Sequence, residues 1–213
     1  MGRKWCWTFY AKLASLSTFG IVLLLTVSLT SCSSSTMKQI FVPPNVAVDS
    51  GGPNYFHNIS RIKYWDRISQ ASRATNFAWW DSTGTVHEMY EYWNKVVILN
   101  FFGTWSAPAV SQLAVLDSIR SLGDTNYLII AVAMREKQTE GNAIPPLDSF
   151  ARAHSIPYQI LVGSRDFGFT YGGIDVVPTT FVITRRRKIS DTFEGYATTA
   201  QLKAAITKAE SLP

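Results

Sequence analysis

Short apolar runs alternate with amphipathic stretches along most of the chain, and this pattern predicts an α/β protein. Continuous apolar runs suit strands that are buried on both faces of a sheet. They occur at 96–102, 127–134, 158–162 and 179–184. Apolar residues at helical spacing predict helices at 107–122, 145–154 and 198–210, with a helical turn at 165–171 and a further strand at 189–193. The order of these elements predicts a central mixed sheet flanked by helices.

Two more elements are predicted before the strand at 96–102. The segment 77–86 has the pattern of a β-hairpin, with its turn at Asp81–Gly84. In the segment 60–73, Ile62, Trp65 and Ile68 follow one another at three-residue spacing, which predicts a short linking helix. The expected domain therefore begins at residue 74 and extends to residue 213, with the hairpin as its N-terminal extension.

The first 31 residues have the form of an export signal. A basic stretch from Met1 to Lys12 precedes the apolar run Phe19–Leu29, which at 11 residues is too short to cross a membrane comfortably. Leu29-Thr30-Ser31-Cys32 then resembles a bacterial lipoprotein box, in which the cysteine is lipidated and becomes the mature N-terminus. The alternative is an uncleaved signal anchor in which Cys32 is incidental.

The lipoprotein interpretation predicts the location of the protein. Residues 32–59 are rich in Ser, Pro and Gly and are expected to be a lipidated tether. The domain is then anchored in a bacterial cell envelope and faces the periplasm or the cell exterior. Ser33, rather than Asp, after the lipidated cysteine favours the outer membrane.

Charge and cysteine content exclude several classes of function. The chain has 20 basic and 15 acidic residues, and three of the basic ones precede the apolar run, so the remainder has almost balanced charge. A nucleic-acid-binding domain would keep a strong basic excess, and none is expected here. The two cysteines are Cys6 and Cys32, so the expected domain has no thiol.

Three segments together resemble a known family. They are Phe77…Asp81-Ser-Thr-Gly84, Lys95-Val-Val-Ile-Leu-Asn-Phe-Phe-Gly-Thr-Trp105 and Gly173-Ile-Asp-Val-Val-Pro178-Thr-Thr-Phe-Val-Ile183. Their order and spacing resemble those of the membrane-tethered thioredoxin-like family of the TlpA and cytochrome-maturation type. This family borders the AhpC/TSA redoxin superfamily. The resemblance covers roughly 74–212. It implies a thioredoxin-like fold, and it departs from the family in having Asn94 where a glycine is usual.

The resemblance also implies where the chemistry of such a protein would lie. The family carries W-C-x-x-C after its first core strand, and this chain has Trp105-Ser-Ala-Pro-Ala109 there, so Ser106 and Ala109 replace both cysteines. A serine at the start of a helix acts as an N-cap, worth about 1 kcal/mol over alanine. The alternative, Ser106 as a nucleophile, would need a neighbouring base and a nucleophile motif, and the sequence has neither.

The histidines offer no chemistry of their own in this interpretation. His57, His87 and His154 are scattered along the chain without the spacing of metal ligands, so each is expected to be a surface residue. We therefore expect no metal and no cofactor.

The resemblance further implies a cis peptide bond between Val177 and Pro178, beside the Trp105–Ser106 turn. Two interpretations remain open: the bond serves fold geometry alone, or Val177, Pro178 and Thr179 offer their backbone to an extended peptide in a groove lined by Trp105 and Phe102. For Trp105 itself the alternative is partial burial in the core.

Two surface features lie outside the motif. Tryptophans and tyrosines concentrate between residues 79 and 93, either as core packing of the hairpin, which we favour, or as a patch that binds a partner. Arg185-Arg-Arg-Lys188 forms a turn without glycine, so one of its residues is expected to have a positive φ. These four cations are either solvated or in contact with anionic headgroups.

The function expected from the sequence is a redox-inactive accessory lipoprotein that binds a protein or peptide partner beside the cis-proline. The alternative is a thiol-disulfide oxidoreductase or peroxiredoxin-like enzyme, as the family would suggest. The missing cysteines favour the first hypothesis, and nothing in the sequence identifies the partner.

Overall fold

A computed structural model describes residues 46–48, 58–67, 72–81, 83–122, 126–136 and 144–212. The expected signal peptide, Cys32 and most of the expected tether lie outside these residues, as does His57. In the part of the chain that the structure describes, no helix is long and apolar enough to cross a membrane.

Nine strands and four α-helices make up the described chain. The strands are β1 (Val46–Val48), β2 (Ile59–Asp66), β3 (Phe77–Trp80), β4 (Val86–Glu88), β5 (Val96–Phe102), β6 (Tyr127–Ala133), β7 (Gln159–Val162), β8 (Thr179–Ile183) and β9 (Ile189–Glu194). The helices are α1 (Ala107–Arg120), α2 (Ile144–Ala153), α3 (Arg165–Phe169) and α4 (Thr199–Ser211), and a 3-10 turn spans Met89–Tyr92. The predicted order of elements from β3 onward is confirmed.

The strands form one mixed sheet in the order β4-β3-β2-β7-β6-β5-β8-β9, and β1 pairs antiparallel with β2. β5, β6 and β7 run parallel, whereas β8 pairs antiparallel with β5, and β9 pairs antiparallel with β8 at the edge of the sheet. The expected α/β class, with a central mixed sheet and extra N-terminal strands, is confirmed.

Alternation along β5 divides the interior into two cores, one on each face of the sheet. Val96, Ile98 and Phe102 pack with the apolar faces of α1, α2 and α4. Val97, Leu99 and Phe101 pack with α3 and with the aromatic side chains of β2 and β3. All seven residues of β5 are buried, which explains its continuous apolar run.

The predicted linking helix at 60–73 is wrong, because the chain forms strand β2 there. β2 pairs with β7 on one stretch and with β3 on another, and its register shifts between Ile62 and Tyr64. This irregularity leaves Tyr64 and Trp65 both buried, in different clusters, so the apolar positions lose their strict alternation. The three-residue spacing from Ile62 to Trp65 therefore mimics a helix.

The expected boundary at residue 74 is also too late. β1 and β2 belong to the same sheet as the rest of the domain, so at 46–48 and 59–66 the chain is structural rather than a tether or a linker. Backbone hydrogen bonds to neighbouring strands hold these short segments in the sheet, and the composition of the segments does not indicate this pairing.

Candidate functional site

The site lies where β5 ends and α1 begins. Gly103 follows the strand, and Trp105 turns its indole back across it, since a Cβ on Gly103 would lie 2.6 Å from Trp105 Cε2. The indole Nε1 donates a 3.4 Å hydrogen bond to the Met134 carbonyl at the end of β6. This places the tryptophan, which is 50% exposed, at the C-terminal edge of the parallel strands.

Ser106 is the N-cap residue of α1, as predicted, but its side chain does not cap the helix. It has extended backbone angles, and its carbonyl accepts the first helical bond from Val110 N at 3.0 Å. Its hydroxyl instead donates to the carbonyl of Val177, 3.3 Å away. Pro108 and the fully buried Ala109 complete the first turn. The N–H groups at the start of α1 thus have no cap from this side chain.

The peptide bond between Val177 and Pro178 is cis, as predicted. The loop is fixed on both sides: Thr179 Oγ1 donates to the Val176 carbonyl at 2.7 Å, and Gly195 N donates to the Pro178 carbonyl at 2.7 Å. Because Ser106 bonds to Val177, the start of α1 and the cis-proline loop are in direct contact. The predicted placement of Pro178 beside Trp105–Ser106 is therefore correct.

A carboxylate holds the turn that precedes Ser106. Glu136 accepts hydrogen bonds from Thr104 N at 2.9 Å and from Thr104 Oγ1 at 2.5 Å. Its neighbour Arg135, at a positive φ of 53°, donates to the Ile174 carbonyl at 2.9 Å and pairs with Asp175 at 3.5 Å. The loop after β6 thus ties the α1 turn to the segment that leads into Pro178. The sequence analysis missed this role of Glu136 and Arg135.

The proposed lining of the groove needs one correction. Phe102 is fully buried and stacks on Phe150 in the core under α1 and α2, so it cannot line a surface groove. Side chains along β5 alternate between the two faces of the sheet, and Phe102 is on the face that packs against those helices. Val176 takes the surface position beside the cis-proline instead, with 48% of its surface exposed.

The chemistry available at this site follows from the atoms present. The two cysteines of the chain, Cys6 and Cys32, both lie outside the described residues. Among the described residues, no group of three or more His, Cys, Asp or Glu side chains is placed to hold a metal ion. The groups present are the buried Ser106 hydroxyl, the exposed Trp105 indole, apolar side chains and peptide groups, with the charged side chains of Arg135, Glu136 and Asp175 beside them.

Comparison with known proteins agrees with this architecture. No family model matches the chain. The thiol-disulfide oxidoreductase ResA of Geobacillus thermodenitrificans is 25% identical over 137 residues, which are 64% of this chain and 75% of that protein. ResA of Bacillus subtilis is 22% identical over 138 residues, which cover 64% and 74% of the two chains. Over this part of its length the chain is similar in sequence to these two proteins.

Solved structures support the thioredoxin-like fold of this chain. A thioredoxin-family thiol:disulfide interchange protein from Chlorobium tepidum superposes with a TM-score of 0.55 at 20% identity, covering 67% of this chain and 98% of that one. An exposed lipoprotein thioredoxin from Streptococcus pneumoniae superposes with a TM-score of 0.53 at 17% identity, covering 62% and 98%. At these identities the likeness establishes the thioredoxin-like fold.

A second polar cluster lies in the hairpin, and the sequence analysis missed it. His87, expected to be a simple surface residue, contacts Asp81 through Nε2 at 3.0 Å and Glu91 through Nδ1 at 3.1 Å. Partial burial opposes its charge, but the two carboxylates outweigh this, and the pKa of His87 is raised. Hydrogen bonds from Thr83 and His87 lower the pKa of Asp81. The sequence signal for this cluster was the spacing, because Asp81 precedes His87 by six residues across a turn and Glu91 follows it by four. His154 is exposed, as expected.

The aromatic concentration divides into two parts. Trp79 is buried and stacks on Tyr92, as expected for core packing of the hairpin. Trp93 and Tyr90 are 65% and 43% exposed, so these two do not belong to the core. In the cationic turn, Arg187 has a φ of 63°, which confirms the predicted positive φ.

Proposed function

We propose that this protein is a cell-envelope lipoprotein whose thioredoxin-like domain is redox-inactive and binds an extended segment of a partner protein beside cis-Pro178. One observation carries the proposal: Ser106 occupies the start of α1 and its hydroxyl bonds to the Val177 carbonyl, next to the cis-proline. A reactive position in this fold is thus filled by a group that holds the loop in place.

The redox part of the proposal follows from elementary chemistry. Thiol–disulfide exchange proceeds by attack of a thiolate on a disulfide sulfur. Ser106 offers oxygen, which cannot take part in this exchange, and Ala109 offers no nucleophile. The names of the curated relatives favour the alternative, a thiol-disulfide oxidoreductase. Catalysis of insulin reduction above background by the purified full chain would decide for that alternative.

The binding part is supported by what the site presents. Trp105 and Val176 are each about half exposed. The cis-proline loop beside them is fixed by hydrogen bonds from Ser106, Thr179 and Gly195. A rigid loop beside exposed apolar side chains loses little conformational freedom when a segment docks on it. The rigidity of the loop therefore favours binding.

The binding test uses photo-crosslinking in the cell envelope. A benzoylphenylalanine in place of Val176 samples the proposed groove. The same residue in place of Leu122 is the matched control, because Leu122 is also exposed and apolar but lies at the opposite end of α1. We expect a defined adduct from position 176 that weakens with Trp105→Ala. Equal labelling from both positions, or none from position 176, would reject the groove.

The lipoprotein part is tested separately. Mass spectrometry of the native protein should find a mature N-terminus at Cys32 that carries lipid, and fractionation should place it in the outer membrane. An intact Met1 terminus, or a mature protein without lipid, contradicts this part and leaves the groove unaffected.

A further inference from the structure

A second surface lies at the opposite end of β8 from cis-Pro178, where the turn Arg185–Lys188 meets the chain before β3. Arg73 pairs with Lys188 in an antiparallel bridge, and Ala74 N donates to the Arg187 carbonyl at 2.8 Å. Arg187 N in turn donates to the Thr184 carbonyl at 2.8 Å. Backbone bonds on both sides therefore hold the cationic turn in a defined position against the N-terminal strands.

This surface combines cations with aromatic rings. A shallow open cleft is lined by Arg73, Arg186, Arg187, Tyr90 and Trp93. The Arg187 guanidinium lies over the Tyr90 ring, 4.0 Å from its centroid, which fixes that cation by a cation–π contact. Trp93 has 65% of its surface exposed, more than any other large apolar side chain of the described residues.

The three guanidinium groups of the cleft have not been neutralised within the described chain. Among the described residues no carboxylate forms an ion pair with Arg73, Arg186 or Arg187. Asp66 lines a small cavity beside the cleft together with Arg73 and Arg187, and it accepts a 3.4 Å hydrogen bond from the Tyr90 hydroxyl. The charged residues that line the outer cleft are therefore all cations.

We propose that this surface, Arg73, Tyr90, Trp93, Arg186 and Arg187, is a docking site for the anionic phospholipid headgroups of a membrane. Guanidinium groups bind phosphate through paired N–H donors. Exposed Trp and Tyr side chains settle at the boundary between headgroups and acyl chains. The open, outward-facing shape of the cleft suits a surface of many phosphates better than one enclosed phosphate. The location near a membrane rests on the proposed lipid anchor, but the headgroup contact does not.

The test compares full-length chains, purified without the lipid, on vesicles of phosphatidylcholine alone and with one third phosphatidylglycerol. The quantity measured is the ratio of the two partition coefficients, because any insertion of the apolar N-terminal run contributes to both. The test variant is Arg73→Gln/Arg186→Gln/Arg187→Gln. The matched control is Arg120→Gln/Arg165→Gln/Lys203→Gln, which removes the same charge from exposed positions elsewhere.

We expect the test variant to lose roughly fivefold in the anionic preference per cation removed, and the control to lose much less. Added salt should erase the difference between them. Equal losses in the two variants would show that only net charge matters and would overturn the site. Arg186→Gln alone, at an exposed turn position, gives a reading that does not depend on the fold of the turn.

Two further readings separate the proposal from its competitors. Brominated acyl chains should quench part of the fluorescence of the wild-type chain, and this part should be missing in Trp93→Phe. Pyrophosphate, at matched ionic strength, should not compete with the vesicles. Effective competition by pyrophosphate would identify a site for a free phosphate compound instead. Loss of the groove adducts at position 176 leaves these results unchanged, so the two proposals fail independently.

Discussion

The hydroxyl of Ser106 lies 3.3 Å from the carbonyl oxygen of Val177 and donates to it, across 71 residues of sequence. A serine at a helix N-cap ordinarily bonds to the N–H groups of its own first turn. Here it stabilises the contact between α1 and the cis-proline loop instead. The start of the helix is left with uncapped N–H groups and the positive end of its dipole.

This contact predicts the effect of removing the hydroxyl. Ser106→Ala should lower the free energy of unfolding by about 1 kcal/mol, because the partly buried Val177 carbonyl loses its donor. The control is Ser111→Ala on the exposed face of α1, whose hydroxyl bonds only to the Ala107 carbonyl of its own helix. Urea denaturation of both variants measures the difference, and equal effects would contradict a role for Ser106 in holding the loop.

The uncapped helix start predicts what cysteines would do there. In Ser106→Cys/Ala109→Cys, we expect a reducible disulfide. After reduction, the thiol at 106 should have a pKa well below the ordinary value of about 8.5, since the helix terminus stabilises a thiolate. The thiol at 109, a fully buried position, should be less acidic. Alkylation rates as a function of pH, followed by mass spectrometry, give both pKa values.

The control for this effect lies on the same helix. Ser121 is the C-cap residue of α1, at the negative end of the dipole. A cysteine placed there by Ser121→Cys should keep an ordinary or raised pKa. If the thiols at positions 106 and 121 titrate alike, the helix terminus does not act on position 106 as we infer.

The sequence pattern was sufficient for most of the fold, and for physical reasons. β5 and β6 are continuous apolar runs because both faces of each strand are buried, and the positive φ in the cationic turn follows from its lack of glycine. The cis-proline was expected from the family resemblance instead. β2 was misassigned because its register shift produces apolar spacing like that of a helix. Tertiary pairing, which no local pattern contains, decides its structure.

The site was predicted in position but not in its contacts. Ser106 and Pro178 were expected to be neighbours, yet the direction of the Ser106 hydroxyl depends on the Val177 carbonyl, which comes from another part of the chain. The same holds for Glu136, which bonds to Thr104 from 32 residues away. Side-chain bonds over such separations cannot be inferred from the spacing of residue types.

Gly103 predicts a steric coupling to Trp105. In Gly103→Ala the new methyl group would lie 2.6 Å from Trp105 Cε2, so the half-exposed indole should rotate away and lose its bond to Met134. The double variant Gly103→Ala/Trp105→Ala should then be destabilised by less than the sum of the two single variants. Additive free energies of unfolding would contradict this packing.

The His87 cluster predicts a pH dependence of the hairpin. Burial opposes the charge of His87, but the carboxylates of Asp81 and Glu91 raise its pKa above the ordinary 6.5 in the folded protein. Its stabilising contribution is therefore complete below the unfolded pKa, near 6.5, and is lost as the pH rises through the higher folded pKa. Asp81 has the opposite sign: its pKa is lowered, so its contribution is present above about pH 4 and disappears only in strong acid.

The measurement is the difference in free energy of unfolding between wild type and His87→Gln, taken from pH 5 to pH 9. We expect wild type to be the more stable at pH 5 and 6, with an advantage that shrinks toward pH 9. His154→Gln is the control, since His154 is exposed and forms no ion pair among the described residues. An advantage that grows with pH would mean that His87 is neutral between its two carboxylates, contrary to the geometry.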